Sequence, residues 1–117
     1  MNLFARAQES YSTVDCGELE QIIAQEGSNI GLIDVRTEGE HAGGHIPNSE
    51  NINLMGPSFV SKLEFLDKDK TYYVYCASGN RSRTACSQMV NMGFKNVNNV
   101  QMGMMGWSGE IESLSDF

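Results

Sequence analysis

Cys76-Ala77-Ser78-Gly79-Asn80-Arg81 holds the residues best placed to do chemistry in this chain. A cysteine that ends an apolar segment and opens a glycine-containing loop before a helix stands beside unsatisfied N–H groups and the positive end of the helix dipole. Both favour an anion. In such settings a thiol pKa falls from about 8.5 to between roughly 3.5 and 7.5, so the thiolate, the nucleophilic form, prevails at neutral pH. Gly79 lets the backbone turn so that successive N–H groups point inward as a nest around the sulfur. Ala77, Ser78, Asn80 and Ser82 line the same loop, and Arg81 adds a fixed positive charge.

Other residues with chemical capacity carry weaker arguments. Cys86 falls beside the apolar face of the following helix, so packing is expected rather than a resolving role toward Cys76. Cys16, next to a helix cap, is expected to be incidental. His41 and His45 invite a Cys–His pair, but a thiolate activated by a helix end needs no base. Asp34, at the carboxyl end of a buried strand, is expected to be partly desolvated rather than to form a plain surface ion pair with Arg36. Met102, Met104, Met105 and Trp107 read as core and pocket-wall packing before an exposed partner surface.

The elements that position these residues follow from periodicity. Tyr11 to Val14 predicts a short strand, and Asp15 with Glu18 three residues later has the form of a capping box. Leu19, Ile22 and Ile23 then mark one helical face that ends near Gly27. Ile30 to Val35 reads as a buried strand, Thr37 to Ser49 as a loop, and Ile52 with Leu54 as a second short strand. Pro57 suits a first helical position, with Phe59, Leu63 and Leu66 continuing the stripe. Thr71 to Cys76, TYYVYC, is dense in aromatic and β-branched residues and predicts a strand. Ala85, Met89 and Met92 place a helix over 81–92, closed by Gly93. Asn96 to Val100 predicts the last strand and Met104 to Ile111 a last short helix. The alternation implies an α/β domain with a mainly parallel sheet covered on both faces. Ligands in such sheets bind beyond the strands' carboxyl ends, where Cys76 and Asp34 both fall.

Composition narrows the function. At 117 residues and 40% apolar content the chain fits one ordinary globular domain, expected over 11–117 behind a polar leader at 1–10. The net charge of -7 argues against nucleic acid and anionic membrane as partners. Three cysteines without CxxC spacing speak against disulfides and a structural zinc site, and a reduced, cytoplasmic setting is expected.

Cys76 to Arg81 resembles the active loop of rhodanese domains, CxxGxR. Asp34-Val35-Arg36 resembles the family's DVR strand end, Gly44-His45-Ile46-Pro47 its GHIP turn, and Gly103 to Trp107 its C-terminal glycine–tryptophan segment. The resemblance implies a three-layer domain with a five-stranded sheet flanked by helices, and a sulfurtransferase working by double displacement. Cys76 would take sulfur from a small sulfur-containing anion such as thiosulfate, or from a persulfide, and pass it to a thiol, a protein or, in an assay, cyanide. It implies no metal or organic cofactor, a pairing of Asp34 with Arg81 that shapes the loop, and Arg36 near the pocket mouth. Two rivals remain. A phosphatase or arsenate reductase also cradles an oxyanion in a Cys–Arg loop, but tyrosine-phosphatase-like loops place five residues between Cys and Arg where this chain has four. A non-catalytic binding or regulatory module of the same fold commonly lacks the cysteine, whereas a live cysteine is compatible with sulfur delivery to a dedicated protein partner.

Overall fold

The structure, a computed structural model, describes residues 11–114; the leader expected at 1–10 lies outside the described residues. Five strands form one sheet in the order β1-β5-β4-β2-β3, every pairing parallel: β1 (Ser12–Val14), β2 (Ile30–Asp34), β3 (Glu50–Asn51), β4 (Thr71–Tyr75) and β5 (Asn96–Val100). The helices are α1 (Cys16–Glu26), α2 (Glu38–Gly43), α3 (Phe59–Glu64), α4 (Asn80–Asn91) and α5 (Gly103–Gly106). This is the expected five-stranded α/β architecture.

Side-chain alternation along β4 divides the core between the two faces. Tyr72, Val74 and Cys76 point to one side, where Phe59 and Leu63 of α3 and Ala85, Cys86 and Met89 of α4 cover them. Tyr73 and Tyr75 point to the other, with Leu19 of α1 and Ile46. Each fully buried aliphatic side chain contributes about 1.5–3 kcal/mol, so both helical layers are fastened to the sheet independently.

Local chemistry explains the helix starts. Asp15 caps α1 through a complete capping box, accepting from the Glu18 N–H at 2.8 Å while the Glu18 carboxylate accepts from the Asp15 N–H at 2.9 Å. Four expectations need correction. The segment 37–49 is not all loop: Thr37 and Glu40 form a second capping box that starts α2 in spite of its glycine-rich composition. The strand expected at Ile52 and Leu54 is the two-residue β3 just before them; Ile52 lies beyond it and donates its N–H to the Asp34 carbonyl at 2.9 Å. Pro57 precedes α3 instead of opening it, because Ser58 is the N-cap. The last helix is a single turn, since Trp107 returns to extended backbone at φ -84°, ψ 126°.

Candidate active site

Asp34 pairs with Tyr75 in the β2–β4 register, so the two carboxyl ends lie side by side and Cys76 follows directly. Only 1% of Cys76 is exposed. Gly79, at φ 102°, occupies the left-handed region that glycine tolerates and serves as N-cap of α4, folding the loop back over the sulfur. The Gly79 N–H then donates to Cys76 Sγ at 3.1 Å and the Ser82 N–H donates to it at 3.3 Å.

Burial alone would push the Cys76 thiol up, but hydrogen bonds from the Ser82 hydroxyl and from the Ser82, Gly79 and Ser78 N–H groups outweigh it, and the pKa lies below the ordinary thiol value. Ser82 has one hydroxyl proton to place. With Cys76 as a thiol, Sγ donates to Ser82 Oγ at 3.4 Å, and the hydroxyl donates to Asn99 Oδ1 at 2.5 Å or to the Gly79 carbonyl at 3.2 Å. Asn99 on β5 is buried and was not singled out from sequence, where an asparagine inside a strand carries no periodic signal.

The other cysteines sit differently. Cys86 is fully buried in the core, and burial followed by the nearby Cys76 pushes its thiol up to about 12. Burial and then Asp15 raise Cys16, whose thiol donates to the Gly103 carbonyl at 3.3 Å.

The charged residues pair otherwise than expected. Asp34 does not hold Arg81. Its Oδ1 accepts from Arg36 Nε at 2.9 Å and its Oδ2 from Arg36 Nη2 at 2.7 Å and His41 Nδ1 at 2.9 Å. Nor does Arg36 stand at a pocket mouth; it is 7% exposed and also donates to the Gly44 carbonyl at 2.7 Å. Arg81 instead makes a two-pronged ion pair with Glu40 of α2, at 2.8 and 3.0 Å. Arg81 foremost among the causes holds the Glu40 carboxyl down at about 2. Sequence reading missed Glu40, although the Thr37–Glu40 spacing carried the signal of a helix start.

The histidines do not face the thiolate. Their rings stack at 3.7 Å between centroids, and the His45 Nδ1–H donates to the His41 carbonyl at 2.7 Å. The turn they belong to is fixed to the sheet from below: the Ile46 N–H donates to the Tyr75 hydroxyl at 3.0 Å, and Ser49 Oγ lies 2.8 Å from it.

The segment after β5 closes the loop from the other side. Met104 and Met105 donate their N–H groups to the Cys76 and Ala77 carbonyls, each at 2.9 Å. Gly103, at φ 49°, makes this approach possible, because a Cβ there would collide with the Cys76 carbonyl. Met104 and Trp107 pack against the core, as the packing reading expects, whereas Met102 and Met105 are exposed beside the loop, at 49% and 70%.

The rhodanese-like domain family model matches residues 15–110. The chain is 47% identical over 81 residues to YtwF of Bacillus subtilis, a candidate sulfurtransferase by its name, covering 69% of this chain and 76% of that one. It is 30% identical over 95 residues to a sulfurtransferase of Allochromatium vinosum, covering 81% and 86% of the two chains. The crystal structure of a rhodanese-like domain protein from Staphylococcus aureus superposes with a TM-score of 0.78 at 30% identity, covering 89% of this chain and 99% of that one.

Proposed function

The chain belongs to the rhodanese-like domain family, the two relatives compared above are named sulfurtransferases, and on that premise we propose that it transfers sulfane sulfur through a persulfide on Cys76. The observation that carries this reading is the convergence of the Gly79 and Ser82 N–H groups on one buried sulfur with a lowered pKa. A buried anion held by preorganised N–H donors is a nucleophile before the donor arrives, and the same donors stabilise the persulfide that forms.

In the first step the Cys76 thiolate attacks the outer sulfur of a donor such as thiosulfate. A Cys76–S bond forms, the donor's S–S bond breaks, and its electron pair leaves with sulfite. In the second step a thiolate, free or on a protein, attacks the outer sulfur of Cys76–S–S⁻ and regenerates the Cys76 thiolate; cyanide does the same in an assay and leaves as thiocyanate. Neither step needs an external oxidant or reductant.

The test is intact mass after incubation with a sulfane donor and removal of small molecules. Wild type should gain one sulfur atom and Cys76→Ser none, with steady-state transfer down by more than about a thousandfold, the scale of losing a nucleophile. A folded Cys76→Ser protein that still transfers sulfur overturns the mechanism.

A further inference from the structure

Among the described residues, neither Arg36 nor Arg81 is left free to meet an anionic donor at the Cys76 loop, because each is paired with a carboxylate. Arg81 is the only cation among residues 76–82, and Glu40 holds both ends of its guanidinium. Glu40 is itself anchored, since the Thr37 N–H donates to its carboxylate at 2.9 Å and the Thr37 hydroxyl lies 3.2 Å from it. It cannot swing away without giving up the cap of α2. Arg36 is taken by Asp34. Arg83 projects from the exposed flank of α4, along with Asn80, Thr84 and Ser87, while Ser82, Ala85, Cys86 and Met89 form the buried face.

The segment 101–107, which packs on the loop, includes no cation. Met102 and Met105 stand exposed on the turn that Gly103 presses against the Cys76 and Ala77 carbonyls. Met102 also borders an open groove of about 510 Å³ whose remaining lining is Asp15, Cys16, Gly17, Gln101 and Gly106. Among the described residues that line it, Asp15 is the one with a charged side chain, and that charge is negative.

We propose that this site selects organic persulfides, donors with a single negative charge and an uncharged group, over the thiosulfate dianion, with Glu40 and the Met102–Met105 rim setting the preference. The inference rests on Cys76 being the sulfur carrier. Each unit of negative charge on the donor adds repulsion from the Cys76 thiolate, and a neutralised Arg81 does not offset the second unit. The uncharged group of a persulfide is suited to the methionine rim, where a sulfonate would lose hydration without a paired cation. The step is balanced: the Cys76 thiolate bonds to the outer sulfur of R–S–S⁻, the donor's S–S bond breaks, and the electron pair leaves as R–S⁻.

The experiment measures second-order rate constants for appearance of the one-sulfur adduct with 2-hydroxyethyl persulfide and with thiosulfate, each divided by the rate of the same donor with free 2-mercaptoethanol. Wild type should favour the persulfide by about tenfold or more after this correction, the size of one weakly screened charge interaction. Glu40→Gln keeps the capping box, which accepts Gln at that position, but frees the Arg81 charge. It should lower the preference at least about threefold by raising the thiosulfate rate, an effect that fades with added salt. Met105→Lys, on an exposed side chain, should act in the same direction. A wild-type protein without preference, or a preference that neither variant moves, overturns the proposal and leaves the Cys76 mechanism standing. Absence of the adduct from both donors overturns that mechanism and this inference together.

Discussion

Ser82 decides how strongly the Cys76 sulfur holds its proton. Its N–H and its hydroxyl both act on the sulfur, and Asn99 Oδ1 or the Gly79 carbonyl accepts from the hydroxyl when the sulfur is a thiol. Ser82→Ala removes the hydroxyl and keeps the N–H. A single hydrogen bond contributes about 0.5–1.5 kcal/mol, so the midpoint of the iodoacetamide rate against pH should rise by roughly half a unit to one unit. The sign follows from the lowered pKa: thiolate bonding in the folded protein is present above the ordinary thiol value and is lost as pH falls through the lower folded value. An unchanged midpoint would mean that the backbone donors act alone. At this scale the loop Cys76–Ser82 was legible as a neighbourhood, because strand, glycine and helix order themselves along the chain. The partner of Arg81 was not. Asp34 and Glu40 are both carboxylates near a strand's carboxyl end, and only packing decides which arginine each receives: Asp34 is within immediate reach of Arg36, two residues on.

The single turn α5 governs the loop from outside. Its first residue, Gly103, is both at positive φ and in contact with the Cys76 carbonyl. Gly103→Ala therefore meets backbone strain and a collision with main-chain atoms that cannot rotate away. We expect it to lower stability by about 2 kcal/mol or more in chemical denaturation, and to slow sulfur loading of Cys76 in the fraction that folds. Elements with strong local signals were readable: TYYVYC in β4, the Asp15 capping box of α1, and the apolar stripe of α4 ending before Gly93. Those whose form depends on tertiary contact were not. α2 has two glycines among its six residues and no apolar stripe; it is held by its cap, by His41 on Asp34 and by Glu40 on Arg81. Met104 to Ile111 suggested a longer helix, but Trp107 turns to extended backbone and its indole N–H donates to the Glu110 carbonyl, so the helix ends after one turn.

Across the whole molecule, the buried carboxylate of Asp34 joins the sheet to the α2 segment. It receives Arg36 and His41 at 0% exposure, and Arg36 passes the connection to the Gly44 carbonyl. Removing one partner of a buried charge pair leaves the other uncompensated. Asp34→Ala should destabilise the fold by about 3–5 kcal/mol in urea or guanidinium titration. By contrast, the solvent-facing pair of Lys95 with Asp69 lies at 71% and 75% side-chain exposure and is worth under about 1 kcal/mol. A loss at Asp34 as small as that would mean the cluster is solvated. The strand order carries a kinetic consequence as well. β1 opens the described chain yet pairs only with β5, and Cys16 reaches Gln101 across 85 residues of sequence. Contacts that distant close late, because the loop entropy is spent before they form. During synthesis the ribosome must therefore release β5 and the Gly103 turn before the first strand can dock, and a nascent chain already carrying Cys76 has no second wall for its sulfur site until then.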